Sequence, residues 1–338
     1  MSDILNKLTK QITENQILPA DQMTAGFDEM MEGKASPVQM AAFLIALKMR
    51  GEAPSDIAAG AGSLRRHALT LDAPDNAMDI VGTGGDGIGT YNISTATALV
   101  LAGAGIPVAK HGNKAVSSKS GAADVLTALG INLDCSEEAL SEALTAAKIV
   151  FLMAPRHHSA MRHVGPIRAE LGVRTIFNLL GPLSNPALVR RILVGVFDAR
   201  WLQPFAEALR TLGTTDAFIV HGADGLDELS TTGSNQITVL KDGQISETTL
   251  HPSDLSLPTA SLSDIKGGSA EENATALRAL LSGKEGPYRD IVLMNAAAAF
   301  VAGGHEKEMA VGLERARQSI DTKAAQSALD QLISITNK

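Results

Sequence analysis

Apolar positions along this chain follow two successive rhythms. Near the start they recur three and four residues apart. Ile4, Leu5, Leu8 and Ile12 form one stripe, and Met23, Phe27, Met30 and Met31 form another. That spacing places each set on one face of a helix. Ser36-Pro37 marks a further helix start, with serine as cap and proline in the first turn, and Gly51 is its stop. Ser55 opens another helix through Ile57 and Leu64 before Asp72-Ala-Pro-Asp-Asn breaks the pattern. The spacing predicts a small helical domain over residues 1–72, without a strand.

Beyond it, short apolar runs alternate with helical stretches. The runs are Ile80-Val81, Ile106 to Ala109, Ile149 to Met153, Ile192 to Val196 and Ala217 to Val220, and Ser136 to Ala147 is an intervening helix. This alternation predicts an α/β domain over residues 73–338 with a mainly parallel sheet. Residues 236–250 read as two alternating runs around Asp242-Gly243, a hairpin. Ser269 and Glu272 form a capping box. Asn295 to Val301 suits burial against the sheet, and residues 308–337 read as surface helices. Ligands of open α/β sheets bind beyond the carboxyl ends of the strands. The polar loops of this chain stand there.

Composition narrows the classes. The chain has 338 residues, 45% hydrophobic and 20% charged, with net charge −8. An acidic balance gives no electrostatic case for nucleic acid. No apolar run reaches the ~18 residues of a membrane span. The first residues read as an amphipathic helix rather than a signal peptide. The single Cys135 fits a reducing compartment. These features predict a soluble cytoplasmic protein.

Two loops carry the candidate chemistry. Asp79 to Thr95 reads as a strand, then the glycine loop Gly82-Thr-Gly-Gly85-Asp86-Gly87-Ile-Gly89-Thr90, then Asn92, Ser94 and Thr95 opening a helix. Glycines let backbone N–H groups approach a ligand, and a helix N-terminus favours a phosphate. The loop matches G-x-G-x-x-G in letters alone. It runs on past the motif, and the next strand ends in Lys110-His111 rather than in an acid, so a nicotinamide site is disfavoured. The second loop runs Lys110-His111-Gly112-Asn113-Lys114 and on through Ser117, Ser118, Lys119 and Ser120. Its lysines fit either a solvated face or phosphate oxygens, and their alternation with Gly, Asn and Ser favours phosphate. Two anion loops imply a ligand with phosphates at both ends.

Asp227-Glu228 follows a buried strand. Adjacent carboxylates on an extended segment point different ways, which suits magnesium beside substrate phosphates. A pair of exposed loop acids is the plainer reading. His157, His158 and His163 lack a ligand-spaced acid or cysteine, so zinc is disfavoured and packing or substrate lining favoured. Arg168 can pair with Glu170, cap a helix end, or bind a substrate carboxylate. No Ser-His-Asp or Cys-His arrangement is suggested.

GTGGD, NIST, KHGN to SSKSG, the Arg168 segment with RTIFNLLGPLSNP, and HGADGLDELS stand in this order. Together they closely resemble the anthranilate phosphoribosyltransferase family. The resemblance implies transfer of phosphoribosyl from PRPP to the amine of anthranilate, releasing pyrophosphate, in tryptophan biosynthesis. It implies PRPP on Gly82, Gly85, Asp86, Thr90, Asn92, Ile93, Ser94 and Thr95. It extends that set to Lys110, His111, Gly112, Asn113, Lys114, Ala115, Val116, Ser117, Ser118 and Ala122. It assigns anthranilate to Gly82, Asn113, His158 and Arg168, and magnesium, as two ions, to Ser94, Asp227 and Glu228. No dedicated general base is implied. The family pattern also implies a homodimer associating through the helical domain. Lys114 stands where that pattern has arginine, and Ser159 where proline often follows His158. The rival readings are a pyrimidine nucleoside phosphorylase of the same architecture and a noncatalytic nucleotide or nucleic-acid binder.

Overall fold

The computed structural model describes residues 2–113 and 121–338. Four helices come first: α1 (Asp3–Thr13), α2 (Ala20–Met31), α3 (Pro37–Arg50) and α4 (Pro54–Arg66). The expected caps form. The Ser36 hydroxyl accepts from the Gln39 N–H while Gln39 returns a bond to the Ser36 N–H, and Gly51 ends α3 at φ 92°. The fourth helix starts at Pro54 rather than Ser55. Proline is preset for a first turn, and the Asp56 carboxylate caps the Ala53 N–H.

Among the described residues, seven strands form one sheet: β1 (Met78–Gly82), β2 (Val108–Gly112), β3 (Ile149–Met153), β4 (Arg191–Gly195), β5 (Asp216–His221), β6 (Asn235–Lys241) and β7 (Gln244–Leu250). Their order is β3-β2-β1-β4-β5-β6-β7. The first five are parallel, and β6–β7 is the antiparallel hairpin turning at Asp242-Gly243, both at positive φ. The order runs outward from β1 in both directions, so the chain reverses between β1 and β4. That reversal is where a doubly wound sheet opens a crevice.

Side chains alternate across each strand, so the sheet buries both faces. Leu193 and Val220 face α5 (Ile93–Gly103) and the helices Ala270–Leu281, Pro287–Ala302, Met309–Asp321 and Ala324–Thr336. Ile192, Val194 and Ile219 face the other way, into a core shared with Phe27, Phe43, Leu64 and helix Leu202–Thr211. The N-terminal helices therefore close the second face of the sheet. The two terminal helices, expected at the surface, bury a stripe through Leu313, Ile320, Leu329 and Leu332. Their periodicity is amphipathic, and the inward stripe is long enough to join the main core.

Polar ties cross between the helical segment and the α/β body. Arg65 donates to the Leu183 carbonyl at 2.8 Å, the Leu69 N–H to the His157 carbonyl at 2.8 Å, and Lys48 to the Arg174 carbonyl at 2.8 Å. Among the described residues, no helix is long and apolar enough to cross a membrane.

Candidate active site

The glycine loop leaves β1 at Gly82 and reaches the N-terminus of α5. Gly84, Gly85, Gly87 and Gly89 all hold positive φ, between 69° and 77°. Side-chain-bearing residues rarely adopt that backbone, so the loop's shape depends on these positions. Asp86 accepts from the Ile88 N–H at 3.2 Å and steadies the bend.

The acidic pair arrives from the end of β5 and lies over β1 and β4. It fits there because Gly82 and Gly195, register partners, carry no side chain. A Cβ on Gly195 would enter the Asp227 backbone, and one on Gly82 would lie 2.8 Å from the Asp227 Cγ. The two carboxylates take different donors. Asp227 accepts from the Gly84 N–H at 2.5 Å, and Glu228 from the Ser94 N–H at 2.9 Å. From below, Asn295 of helix Pro287–Ala302 holds Leu229 by both backbone groups, at 3.0 and 2.8 Å.

Electrostatics follow from this crowding. Burial and then the charge of Asp86 push the Asp227 carboxyl up to about 7. Burial and then Asp227 push Glu228 well above the usual carboxylate range. Mutually repelling oxygen donors of this kind are what a hard divalent cation relieves. Ser94, Asp227 and Glu228 thus fit magnesium in donor chemistry.

Lys110 does not begin a loop. It lies inside β2, buried, with Nζ donating to the Ile80 carbonyl. Burial lowers its ammonium, opposed by Asp79, Glu228 and Asp227. Asp79 sits beneath, fully buried, accepting from Asn185 Nδ2 at 2.7 Å and the His111 N–H at 3.2 Å. Burial raises Asp79 to about 6, against the pull of Lys110. Sequence alone gave Asp79 and Asn185 no role. Only pairing β1 beside β2 joins them.

His111 packs edge-on against His158, ring centroids 5.1 Å apart, and its Nδ1 lies 3.1 Å from the Gly181 carbonyl. Burial holds His111 at about 3 and His158 at about 4, so both rings are neutral at physiological pH. Arg168 lies on helix Gly165–Leu171, its guanidinium 5.6 Å from the Phe177 ring centroid. Ile93 and Thr95 are buried side chains at the start of α5, and the Ile93 N–H donates to the Tyr91 carbonyl at 2.9 Å. Thr90 makes an isolated antiparallel bridge to Lys266. Asn92 is braced by Asn273 at 2.9 Å and by the Tyr288 hydroxyl at 3.3 Å. Tyr288 in turn stacks on Tyr91 at 4.4 Å. Gly112 ends β2 and Ala122 begins a short helix, Ala122–Ala128, with the Asn113 carbonyl accepting from the Ala123 N–H at 3.3 Å. Lys114, Ala115, Val116, Ser117 and Ser118 lie outside the described residues.

Among the sequence candidates, the glycine loop, the start of α5 and the acidic pair meet directly. Lys110 joins them from within the sheet. The motif RTIFNLLGPLSNP concealed two further participants: Asn185, and Arg174, whose guanidinium donates to the Gly85 carbonyl.

Known proteins share this arrangement. Residues 2–68 match the helical bundle domain of a glycosyl transferase family, and residues 74–326 match that family's α/β domain. An anthranilate phosphoribosyltransferase of Parvibaculum lavamentivorans is 52% identical over 97% of this chain and 96% of its own. The crystal structure of anthranilate phosphoribosyltransferase from Thermus thermophilus superposes with TM-score 0.93 at 42% identity, covering 98% and 99% of the two chains. The Saccharomyces cerevisiae enzyme, solved in complex with PRPP and Mg, gives TM-score 0.91 at 29% identity over 100% and 99%. By its two-part architecture and its near-full-length identity, the chain belongs to the anthranilate phosphoribosyltransferase family.

Proposed function

We propose that this protein transfers the phosphoribosyl group of PRPP to the amine of anthranilate, yielding N-(5-phosphoribosyl)anthranilate and pyrophosphate in tryptophan biosynthesis. One observation carries the reading. A buried acidic pair reaches both the glycine loop and the first turn of α5, through Gly84 and Ser94. Carboxylates of the kind that hold a cation thus stand against a glycine loop and a helix N-terminus of the kind that hold an anion, the pairing that a pyrophosphate–metal ligand requires.

The proposed PRPP contacts are Gly82, Gly85, Asp86, Thr90, Asn92 to Thr95, Lys110 to Asn113 and Ala122, together with Lys114 to Ser118. Ser94, Asp227 and Glu228 would hold magnesium, as two ions. When bound, magnesium supplies Lewis-acid help to pyrophosphate departure. The chain's own groups position and neutralise. The glycine loop and the α5 N-terminus would offer phosphate oxygens the N–H groups that the acidic pair and Tyr91 do not take, and Asp86 would meet sugar hydroxyls. Oxocarbenium character growing on the ribose carbon is stabilised by surrounding oxygens arranged before the reaction. Arg168 would bind the anthranilate carboxylate and turn its amine toward that carbon, while neutral His158 lines the aromatic ring. Anthranilate's amine is already unprotonated, so a general base is unnecessary, and holding the reactants in line supplies most of the rate.

We further propose that residues 1–72 mediate homodimerisation. Val38 and Met49 of α3 stand 78% and 79% exposed and Ile17 69%, an apolar face without partner among the described residues. A cytoplasmic setting accords with the reaction and the unbridged Cys135.

A pyrimidine nucleoside phosphorylase would use phosphate alone and leave the buried acidic pair without a purpose. The deciding test is loss of anthranilate fluorescence on adding PRPP and magnesium, run beside thymidine phosphorolysis. Fluorescence loss that requires both additions supports the reading. Thymidine cleavage without it overturns the reading.

A further inference from the structure

The mechanism above leaves one guanidinium beside the site unexplained. Arg174 follows the Arg168 helix, and its Nη2 donates to the Gly85 carbonyl, in the middle of the glycine loop. Its guanidinium carbon lies over the Phe197 ring, 4.4 Å from the centroid. Phe197 is itself tied to the same loop, because its N–H donates to the Thr83 hydroxyl at 3.1 Å, and the Thr83 N–H donates to the Gly195 carbonyl at 2.9 Å. A closed circuit therefore runs Thr83–Phe197–Arg174–Gly85. The Arg174 backbone is gripped in turn from the helical segment, where Lys48 of α3 donates to its carbonyl at 2.8 Å.

We propose that Arg174 is a positioning residue that pre-forms the glycine loop for its diphosphate ligand, and that Lys48 couples this clamp to the helical domain. The inference rests on the reading that this loop takes PRPP. A loop with four glycines at positive φ samples many backbone states, and ordering it upon binding opposes affinity. A clamp that orders it beforehand returns that loss as tighter binding. An exposed hydrogen bond alone adds little. Here the guanidinium carbon also lies over an aromatic ring, and a planar donor that can cover a ring while it donates is a property of arginine and not of lysine. Gly85 completes the fit: a Cβ there would lie 3.1 Å from Arg174 Nη2, at a φ of +77°.

The test uses the full-length protein and two readouts. Amide hydrogen exchange over residues 83–91 is measured without ligand, and the Michaelis constants for PRPP and anthranilate are measured separately. Arg174→Ala is expected to speed exchange of the loop and to raise the PRPP constant about tenfold, the scale of one lost charge-assisted hydrogen bond. Turnover and the anthranilate constant should stay within about twofold. Arg174→Lys should rescue little, because it keeps the charge and loses the planar donor. Lys48→Met, remote from the ligand, should shift both readouts in the same direction by less. Unchanged loop exchange in Arg174→Ala overturns the clamp whatever the loop binds. Faster exchange with an unmoved PRPP constant, or a silent Lys48→Met, overturns it as well. A wild type that ignores PRPP sinks the proposed function instead, while exchange still reads the clamp.

Discussion

Gly195→Ala isolates the geometry on which the active site depends. Gly195 ends β4 with an ordinary strand backbone, so alanine is conformationally acceptable there. By itself the change would lower unfolded-state entropy and stabilise by about 0.4–1 kcal/mol. The obstacle is steric. The new Cβ would stand 3.0 Å from the Asp227 Cα and closer still to its carbonyl group. Carbon contacts settle near ~3.5–4.0 Å, and the Asp227 carbonyl would lie far inside that distance, so the Asp227 backbone must retreat by about 1.5–2 Å. Magnesium demands near-ideal geometry at ~2.0–2.1 Å, and a misplacement of about 1 Å costs on the order of a hundredfold in rate. That factor corresponds to about 2.7 kcal/mol of transition-state stabilisation. We expect Gly195→Ala to fold with a lowered thermal midpoint, overpacking costing about 1–3 kcal/mol, to lose at least about a hundredfold in kcat/KM, and to need more magnesium for half-maximal rate. The assays are fluorescence kinetics across a magnesium titration and a calorimetric melt. Gly62→Ala, within α4 and meeting only ordinary contacts at 3.5 and 3.7 Å, is the control. It should be slightly stabilising and fully active. A Gly195→Ala protein with wild-type rate and magnesium demand would refute the claim that the strand ends hold Asp227 in place.

Three further outcomes follow from the same geometry. Glu228→Ala should lose far more turnover than anthranilate affinity, on the order of a hundredfold against a few-fold, and EDTA-treated enzyme working at full rate would contradict the metal reading. Arg168→Ala should raise the anthranilate Michaelis constant about ten- to a hundredfold, the effect of losing a bond worth ~1.5–3 kcal/mol. The PRPP constant should change little, and aniline, lacking the carboxylate, should be scarcely poorer with the variant than with the wild type. Asp79 titrates at about 6 when folded against an ordinary 3.8. The folded state thus holds its proton more tightly, and the stability this contributes is present below about pH 4 and lost as pH rises to about 6, by up to roughly 3 kcal/mol. Urea midpoints of the wild type relative to Asp79→Asn should fall across that window, and a flat difference would show that Asp79 is better solvated than its burial indicates.

Local features were legible in the chain because they rest on short-range physics. The Ser36 and Ser269 capping boxes, the Asp242-Gly243 hairpin and the glycine loop need only neighbouring residues, and all form where periodicity and turn chemistry put them. The alternation of short apolar runs with helices likewise implied a mainly parallel sheet. Lys110 shows where that reasoning stops. Its neighbours Gly112 and Asn113 made it read as a loop donor, yet β2 extends through it and buries it against Asp79. Whether a lysine ends a strand or continues it depends on the partner strands, here β1 and β3, which lie 26 or more positions away in the chain. Asn185, Asn295 and Arg174 acquire their roles for the same reason: each meets its partner across more than sixty residues of sequence. The emptiness at Gly82 and Gly195 has meaning only once the β5 loop is folded across them. Sequence determined which chemistries this chain carries and the local shapes that present them. Tertiary packing decided which charges share a buried volume, and so how Asp79, Asp227 and Glu228 titrate, because burial and charge proximity arise only when distant segments close on one another.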